Sequence, residues 1–191
     1  MKKMPSLFVR TFNGHAIANI TSEITIGCEW VLEGEGFATR KYDGTCCLIQ
    51  DGSIYKRFDF KLGRKLPNNA IPCQDEADPI TGHFPHWVLC DSNNPNDKWH
   101  IKAFENSNCL ADGTYELCGV HFQKNIDTMV IDGDILIKHG ETILDVERSF
   151  EGIKEYLSEN MIEGIVFHRD NGDMCKIKRS DFGFDWGNKK R

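Results

Sequence analysis

No run of apolar residues in the 191-residue chain is long enough to cross a bilayer, so nothing points to a helical membrane protein. The opening MKKMPSLFVRTF starts basic, but Arg10 interrupts its apolar stretch within a few residues. It therefore reads as a first strand rather than a signal peptide. There is no C-x-x-C pair, no internal repeat and no low-complexity segment. A surplus of basic residues is also missing: the net charge is −6, which argues against a general nucleic-acid coat protein. It leaves room for an enzyme that handles nucleic acid through metal ions and a local basic patch. Proline is scarce as well, and five of the six prolines (67, 72, 79, 85, 95) fall within residues 67–98.

Hydrophobic residues make up 40% of the chain and charged residues 27%, which is ordinary for a globular protein. The length suits one domain with a sizeable core, or at most two small ones, and is read as a single domain over 1–191. Cysteines number eight, an even count, yet Cys46 and Cys47 are adjacent and nothing suggests secretion. They read as reduced thiols of an intracellular, cytoplasmic protein.

Strand signals are short and numerous. CCLIQ, the turn pair Asp51-Gly52 and SIYKRF predict a hairpin from about Thr45 to Phe58. GTYELCGVHF (113–122) predicts another strand. MVIDGDILIKHG (129–140) has a DG pair between two apolar runs, and EGIVFHRDNGDMCKIKR (163–179) predicts a further hairpin. Val146, Phe150, Ile153 and Leu157 stand at helical spacing, with Asp145 available as the cap. A second helical segment is predicted within Thr21 to Leu32. Residues 67–98 form an excursion rather than a linker, since they also hold Phe84, Trp87, Val88 and Leu89. Strands mixed with one or two helices, without regular βαβ alternation, indicate an α+β fold.

The chemistry centres on Lys41 in the sequence Lys41-Tyr42-Asp43-Gly44. An amine attacks phosphorus only when neutral, and burial or a neighbouring cation makes a lysine usable for this. Gly44 lets the loop approach a ligand closely, and Asp43 offers a carboxylate. Arg57, Glu116 and Glu163 follow on separate predicted strands. Lys176 and Lys178, two apart on one strand, project to the same face and would repel a proton from a nearby Lys41. Such a set suits a nucleotide, with cations on its phosphates and carboxylates for Mg²⁺ and the ribose hydroxyls. The stretch from Lys176 to Arg191 carries six cations against Asp181 and Asp185. It reads as a short basic tail.

Taken in order, K-x-D-G at 41–44, Arg57, Glu116, E-G-x-V at 163–166 and K-x-K at 176–178 resemble the covalent nucleotidyltransferases: DNA ligases, RNA ligases and mRNA capping enzymes. KMPSLFV, KYDGTCCLI, GHFPHWV, YELCG, IEGIVFH and KIKRSDFGFDW are similar, in order, to segments of the 5′–3′ RNA ligase 1 family of animals. The resemblance implies a nucleotidyltransferase (ATP-grasp-like) domain of antiparallel sheets flanked by helices, without an OB-fold domain. It implies an ATP-dependent RNA ligase of RNA repair, a monomer acting away from membranes on RNA with 5′-phosphate and 3′-hydroxyl ends. Lys41 would take AMP from ATP and pass it to the RNA. Lys176 and Lys178 would hold the α-phosphate as catalytic cations. Arg40, Asp43, Gly44, Arg57, Glu116 and Glu163 would line the nucleotide. Mg²⁺ or Mn²⁺ would be served by Glu163, Asp43 and Glu116. Arg40 stands where many relatives have a glutamate, which leaves GTP and a capping-type guanylyltransferase as the alternative, besides a non-catalytic nucleic-acid binding module with the same fold.

Other residues have plainer readings. His83 and His86, Cys118 and His121, and Cys90 could be weighed as zinc ligands, but no second pair stands at structural-site spacing. Cys46 and Cys47 read as small core residues. Trp87, Trp99 and Trp186 read as core or loop anchors. Phe122 and residues 131–138 lie near the place expected for a base-stacking group.

Overall fold

The structure is a computed structural model that describes residues 3–14, 16–60, 65–79, 82–108, 110–127 and 132–187. It is a mostly β protein with antiparallel sheets and two short helices. In chain order the strands are β1 (Phe8–Asn13), β2 (Ala16–Ile24), β3 (Phe37–Lys41), β4 (Thr45–Gln50), β5 (Ser53–Phe60), β6 (Ile71–Pro72), β7 (Phe84–Leu89), β8 (Gly113–Gly119), β9 (Asp134–Lys138), β10 (Ile143–Leu144), β11 (Gly164–His168) and β12 (Met174–Lys178). The helices are α1 (Lys98–Glu105) and α2 (Phe150–Glu159). Among the described residues no helix is long and apolar enough to cross a membrane. The chain divides into two compact units, Asp43–His139 with Met1–Lys3, and Met4–Tyr42 with Gly140–Arg191.

The first unit is built on a six-stranded sheet in the order β6-β7-β5-β4-β8-β9. Its β4–β5 hairpin forms as the sequence predicts, with Asp51 (φ 50°) and Gly52 (φ 68°) both left-handed in the two-residue turn. One face of this sheet carries Cys47, Ile49, Ile54, Tyr115 and Leu117, all buried and packed with Ala103 of α1. The proline-rich excursion holds β7, which pairs with β5 over Tyr55–Phe60 and so belongs to the sheet. Helix α1 follows directly.

The second unit holds the β1–β2 hairpin and a four-stranded sheet in the order β10-β3-β11-β12. Ala38, Ile165, Phe167, Cys175 and Ile177 alternate onto one face, which Ile153 and Leu157 of α2 cover. The helix starts at Phe150, not near Asp145. Ser149 is its cap, its hydroxyl accepting from the Gly152 N–H at 3.0 Å. Leu144 is spent on β10, so the helical run begins only after it. The helix predicted within Thr21–Leu32 is absent: Thr21–Ile24 continue β2, and only Glu29–Val31 make a 3-10 turn. The seven described cysteines are free thiols. Lys189, Lys190 and Arg191 of the basic tail, like Met129–Ile131, lie outside the described residues.

Candidate active site

The boundary between the units falls inside K-Y-D-G, and the candidate residues divide with it. Lys41 closes β3 in one unit, and Asp43 and Gly44 open the other.

In the unit that holds Lys41, strand register builds the constellation. Gly164 of β11 stands opposite both Lys41 and Lys178, and Val166 stands opposite both Thr39 and Lys176. Directly opposed residues in antiparallel strands share a face, as do residues two apart. Lys41, Lys176 and Lys178 therefore project from one face, opposite the one packed on α2. Glu163, immediately before β11, meets two of them. Its Oε2 accepts from Lys41 Nζ at 2.5 Å and its Oε1 from Lys178 Nζ at 2.7 Å. Lys41 Nζ also donates to the Tyr42 carbonyl at 3.1 Å. Tyr42 is fixed in turn by a hydroxyl contact with Thr142, at 2.8 Å.

The glycine of E-G-x-V has a steric reason. A Cβ at Gly164 would lie 2.2 Å from the Ile177 carbonyl oxygen. Only glycine lets β12 approach closely enough for Lys178 to stand opposite it.

Burial alone would raise the pKa of Glu163, which is 4% exposed, but the charges and hydrogen bonds of Lys41 and Lys178 hold it below its ordinary value. The carboxylate is thus ionised between two cations. Lys176 is pushed down to about 8, first by burial and then by the Lys178, Lys41 and Arg10 charges, against the pull of Glu163. The cation crowding expected from K-x-K is felt at this lysine. Arg40 lies on the other face of β3 from Lys41, its guanidinium 4.7 Å above the Tyr42 ring.

In the other unit Gly44 packs against β8. A Cβ there would sit 2.3 Å from the Leu117 carbonyl oxygen, so the missing side chain makes room for this strand. The Gly44 N–H donates to Glu116 Oε1 at 3.0 Å, and His139 Nε2 lies 3.0 Å from Glu116 Oε2. The Asp43 N–H donates to Asp127 at 2.6 Å. Arg57 shares the sheet face of Glu116, and its Nε donates to Asp59 at 3.1 Å. The sequence carried no sign of His139 or Asp127, because each acts as a single residue with no motif around it.

A divalent cation is implied by the resemblance, and Glu163 offers a buried, ionised carboxylate. Both of its oxygens accept from lysine ammonium groups here, so the residue does not fit a cation unless a lysine gives way. Asp43 and Glu116 belong to the other unit. There Glu116 gathers with Cys46 and His139, their donor atoms within 4.8 Å of one another. Burial and the Glu116 charge push the Cys46 thiol up to about 12. Of the residues weighed for zinc, only Cys90 enters a donor group among the described residues, with Asp97 and His100. Trp87 and Trp186 are buried, Trp99 stacks on His121 with centroids 3.4 Å apart, and Phe122 packs edge-on against His100. No protein-family model matches the chain, and a search of curated proteins found no match.

Proposed function

We propose that the chain is an ATP-dependent RNA ligase of the covalent nucleotidyltransferase type, and that its antiparallel sheets make up the nucleotidyltransferase (ATP-grasp-like) fold. The observation that carries this reading is the shared buried carboxylate. Three of the five ordered motifs, K-x-D-G, E-G-x-V and K-x-K, meet on one sheet face with Lys41 and Lys178 on Glu163.

Such an arrangement suits attack on a phosphate. Lys41 gives up its proton and enters as a neutral amine. Its Nζ bonds to the α-phosphorus of ATP, the bond from that phosphorus to the bridging oxygen breaks, and pyrophosphate leaves with the electron pair. Lys176 and Lys178 stabilise charge on the phosphate oxygens, and their position on the strand is set before substrate arrives. The adenylyl group then passes to an RNA 5′-phosphate, and a 3′-hydroxyl displaces AMP to join the strands. Mg²⁺ or Mn²⁺ would supply further positive charge at the phosphates if Glu163 exchanged a lysine partner for the ion. Arg57, Glu116, Asp43 and Gly44 are the candidate nucleotide contacts of the other unit, with Glu116 oriented by the Gly44 N–H and His139.

The test is covalent labelling. α-Labelled ATP with Mg²⁺ should leave label on the denatured wild-type protein and none on Lys41→Ala, which should still fold and melt cooperatively, at a lower midpoint because Glu163 keeps only Lys178. Label from GTP alone would redirect the reading to a capping-type guanylyltransferase. No label from any nucleotide would favour a non-catalytic binding module.

A further inference from the structure

Residues 5–7 extend the four-stranded sheet beyond β12. The Leu7 N–H donates to the Lys176 carbonyl at 2.7 Å, the Lys176 N–H donates to the Pro5 carbonyl at 3.0 Å, and Ser6 stands opposite Lys176 in a parallel bridge. Ser6 therefore projects to the same face as Lys176. Arg10 follows in β1. Its Nη2 is bound to Asp181 Oδ2, the same oxygen that accepts the Lys178 N–H at 2.8 Å. This anchors the guanidinium beside K-x-K.

Three polar atoms here are unsatisfied. Ser6 Oγ and Arg10 Nε, both donors, and Asp181 Oδ1, an acceptor, are buried and have no hydrogen-bond partner among the described residues. Native proteins rarely leave buried donors unpaired, and an exception calls for an explanation such as strain, a catalytic role, or a bound water or ion. Charge favours the ion. Among the described residues, Arg10, Lys41, Lys176 and Lys178 are gathered near Glu163 and Asp181. An anion with several acceptor oxygens would satisfy both donors and offset this charge.

Position says which anion. Strand spacing puts β12 about 10 Å from β3, and the 5–7 segment about 5 Å further. The unsatisfied donors thus lie on the far side of Lys178 from Lys41. Displacement at phosphorus is roughly in line, so the group opposite Lys41 leaves when Lys41 attacks and enters when Lys41 is displaced.

Resting on the ligase reading, we propose that Ser6, Arg10 and Lys176 form a phosphate subsite opposite Lys41. It receives the pyrophosphate of ATP as it leaves and then the RNA 5′-phosphate as it enters. In the first transfer the N–P bond forms, the bond from phosphorus to the bridging oxygen breaks, and pyrophosphate keeps the electron pair. In the second, an oxygen of the 5′-phosphate bonds to the adenylyl phosphorus, the P–N bond breaks, and Lys41 regains its proton.

The experiment uses full-length protein carrying labelled AMP on Lys41. One arm adds inorganic pyrophosphate and follows return of label to ATP. The other adds 5′-phosphorylated RNA and follows transfer of label to RNA. Ser6→Ala should raise the half-saturating concentration of both by about three- to tenfold, the loss of one hydrogen bond. Arg10→Gln should raise both by roughly tenfold or more, as expected for a charged donor. Should Arg10→Gln fail to fold, Ser6→Ala with a parental melting curve carries the test. Wild-type half-saturation in both arms would overturn the subsite, and so would a change in one arm alone. If the wild type takes no label, the ligase reading fails. The subsite is then judged by calorimetric binding of inorganic pyrophosphate to the wild type, Ser6→Ala and Arg10→Gln; equal binding by all three would overturn it.

Discussion

Lys176→Met should make the protein more stable while stopping its chemistry. Lys176 sits among Lys41, Lys178 and Arg10, and its pKa is pushed down to about 8, so at pH 7 it is held as a cation in an unfavourable place. In the unfolded chain it titrates near 10.4, and the difference corresponds to at most about 3 kcal/mol against the folded state. Methionine has similar length and keeps the packing of the lysine stem. A gain of about 1–3 kcal/mol at pH 7 is therefore expected, since relaxation around the site reduces the full value. The pH dependence identifies the cause. Between about 8 and 10.4 the unfolded state binds more protons than the folded state at this residue, so wild-type stability rises with pH across that window. Below about 8 the cost is constant, and above 10.4 it is gone. The advantage of Lys176→Met should thus be full at pH 7 and shrink as pH rises through 8 towards 10. Urea unfolding followed by far-ultraviolet circular dichroism at pH 7, 8.5 and 10 measures this. A variant that is less stable than the parent at pH 7, or whose advantage is the same at pH 7 and 10, would refute the reasoning.

Adenylylation by the wild type should follow a bell-shaped pH profile, since deprotonation of Lys41 favours attack while Lys176 loses its charge as pH rises through about 8; pre-steady-state labelling from pH 6 to 9.5 of the parent and Lys176→Met, with the falling limb absent from the variant's residual rate, would show it. Glu163→Gln should lose labelling and destabilise the protein by roughly 1–3 kcal/mol, less than a fully buried pair because both lysines are partly exposed. The pKa of Glu163 is lowered on folding, so its contribution is present at neutral pH and lost on acidification. The gap between parent and variant in urea should accordingly close below about pH 4. Gly164→Ala should fail to fold or lose several kcal/mol, because its Cβ would meet the Ile177 carbonyl at 2.2 Å; soluble yield and melting temperature report it. Glu116→Ala removes the acceptor of the Gly44 N–H and of His139, and should weaken nucleotide binding about tenfold in equilibrium dialysis.

Hairpins were the most legible part of the fold, since their turns are written in the chain. Asp51-Gly52 and Gly172 take the left-handed conformations that such pairs favour, and β4–β5 and β11–β12 follow. Strand β7 was hidden because Pro85 and His86 break its pattern, yet His86 is 3% exposed, with Nδ1 2.8 Å from the Phe84 carbonyl oxygen. Helix α1 escaped notice for a similar reason. It follows Pro95 within a proline-rich stretch, and only Ala103 of its eight residues is fully buried. Polar residues in β2 imitated a helical face. The same contrast holds within the site. Lys41, Glu163 and Lys178 stand in short motifs and could be named from sequence. Ser6, Arg10 and His139 could not, because pairing across the sheets places them and nothing beside them in the chain marks them.

Register also constrains what Arg40 can do. Side chains alternate along a strand, so a residue next to Lys41 within β3 cannot share its face. With Lys41 turned to Glu163, Arg40 is turned to the side of Ala38 and stacks on Tyr42 instead. Tyr42 is itself held by Thr142, so this stack braces the chain on both sides of the lysine. Lys41 is thereby fixed from three directions: its chain neighbours Arg40 and Tyr42, the Gly164 register across β11, and the carboxylate in front. A lysine with four rotatable bonds loses rotamer freedom when it is held this way. That cost is met when the protein folds rather than when a ligand binds, so on the proposed reading the amine is positioned before a phosphate arrives.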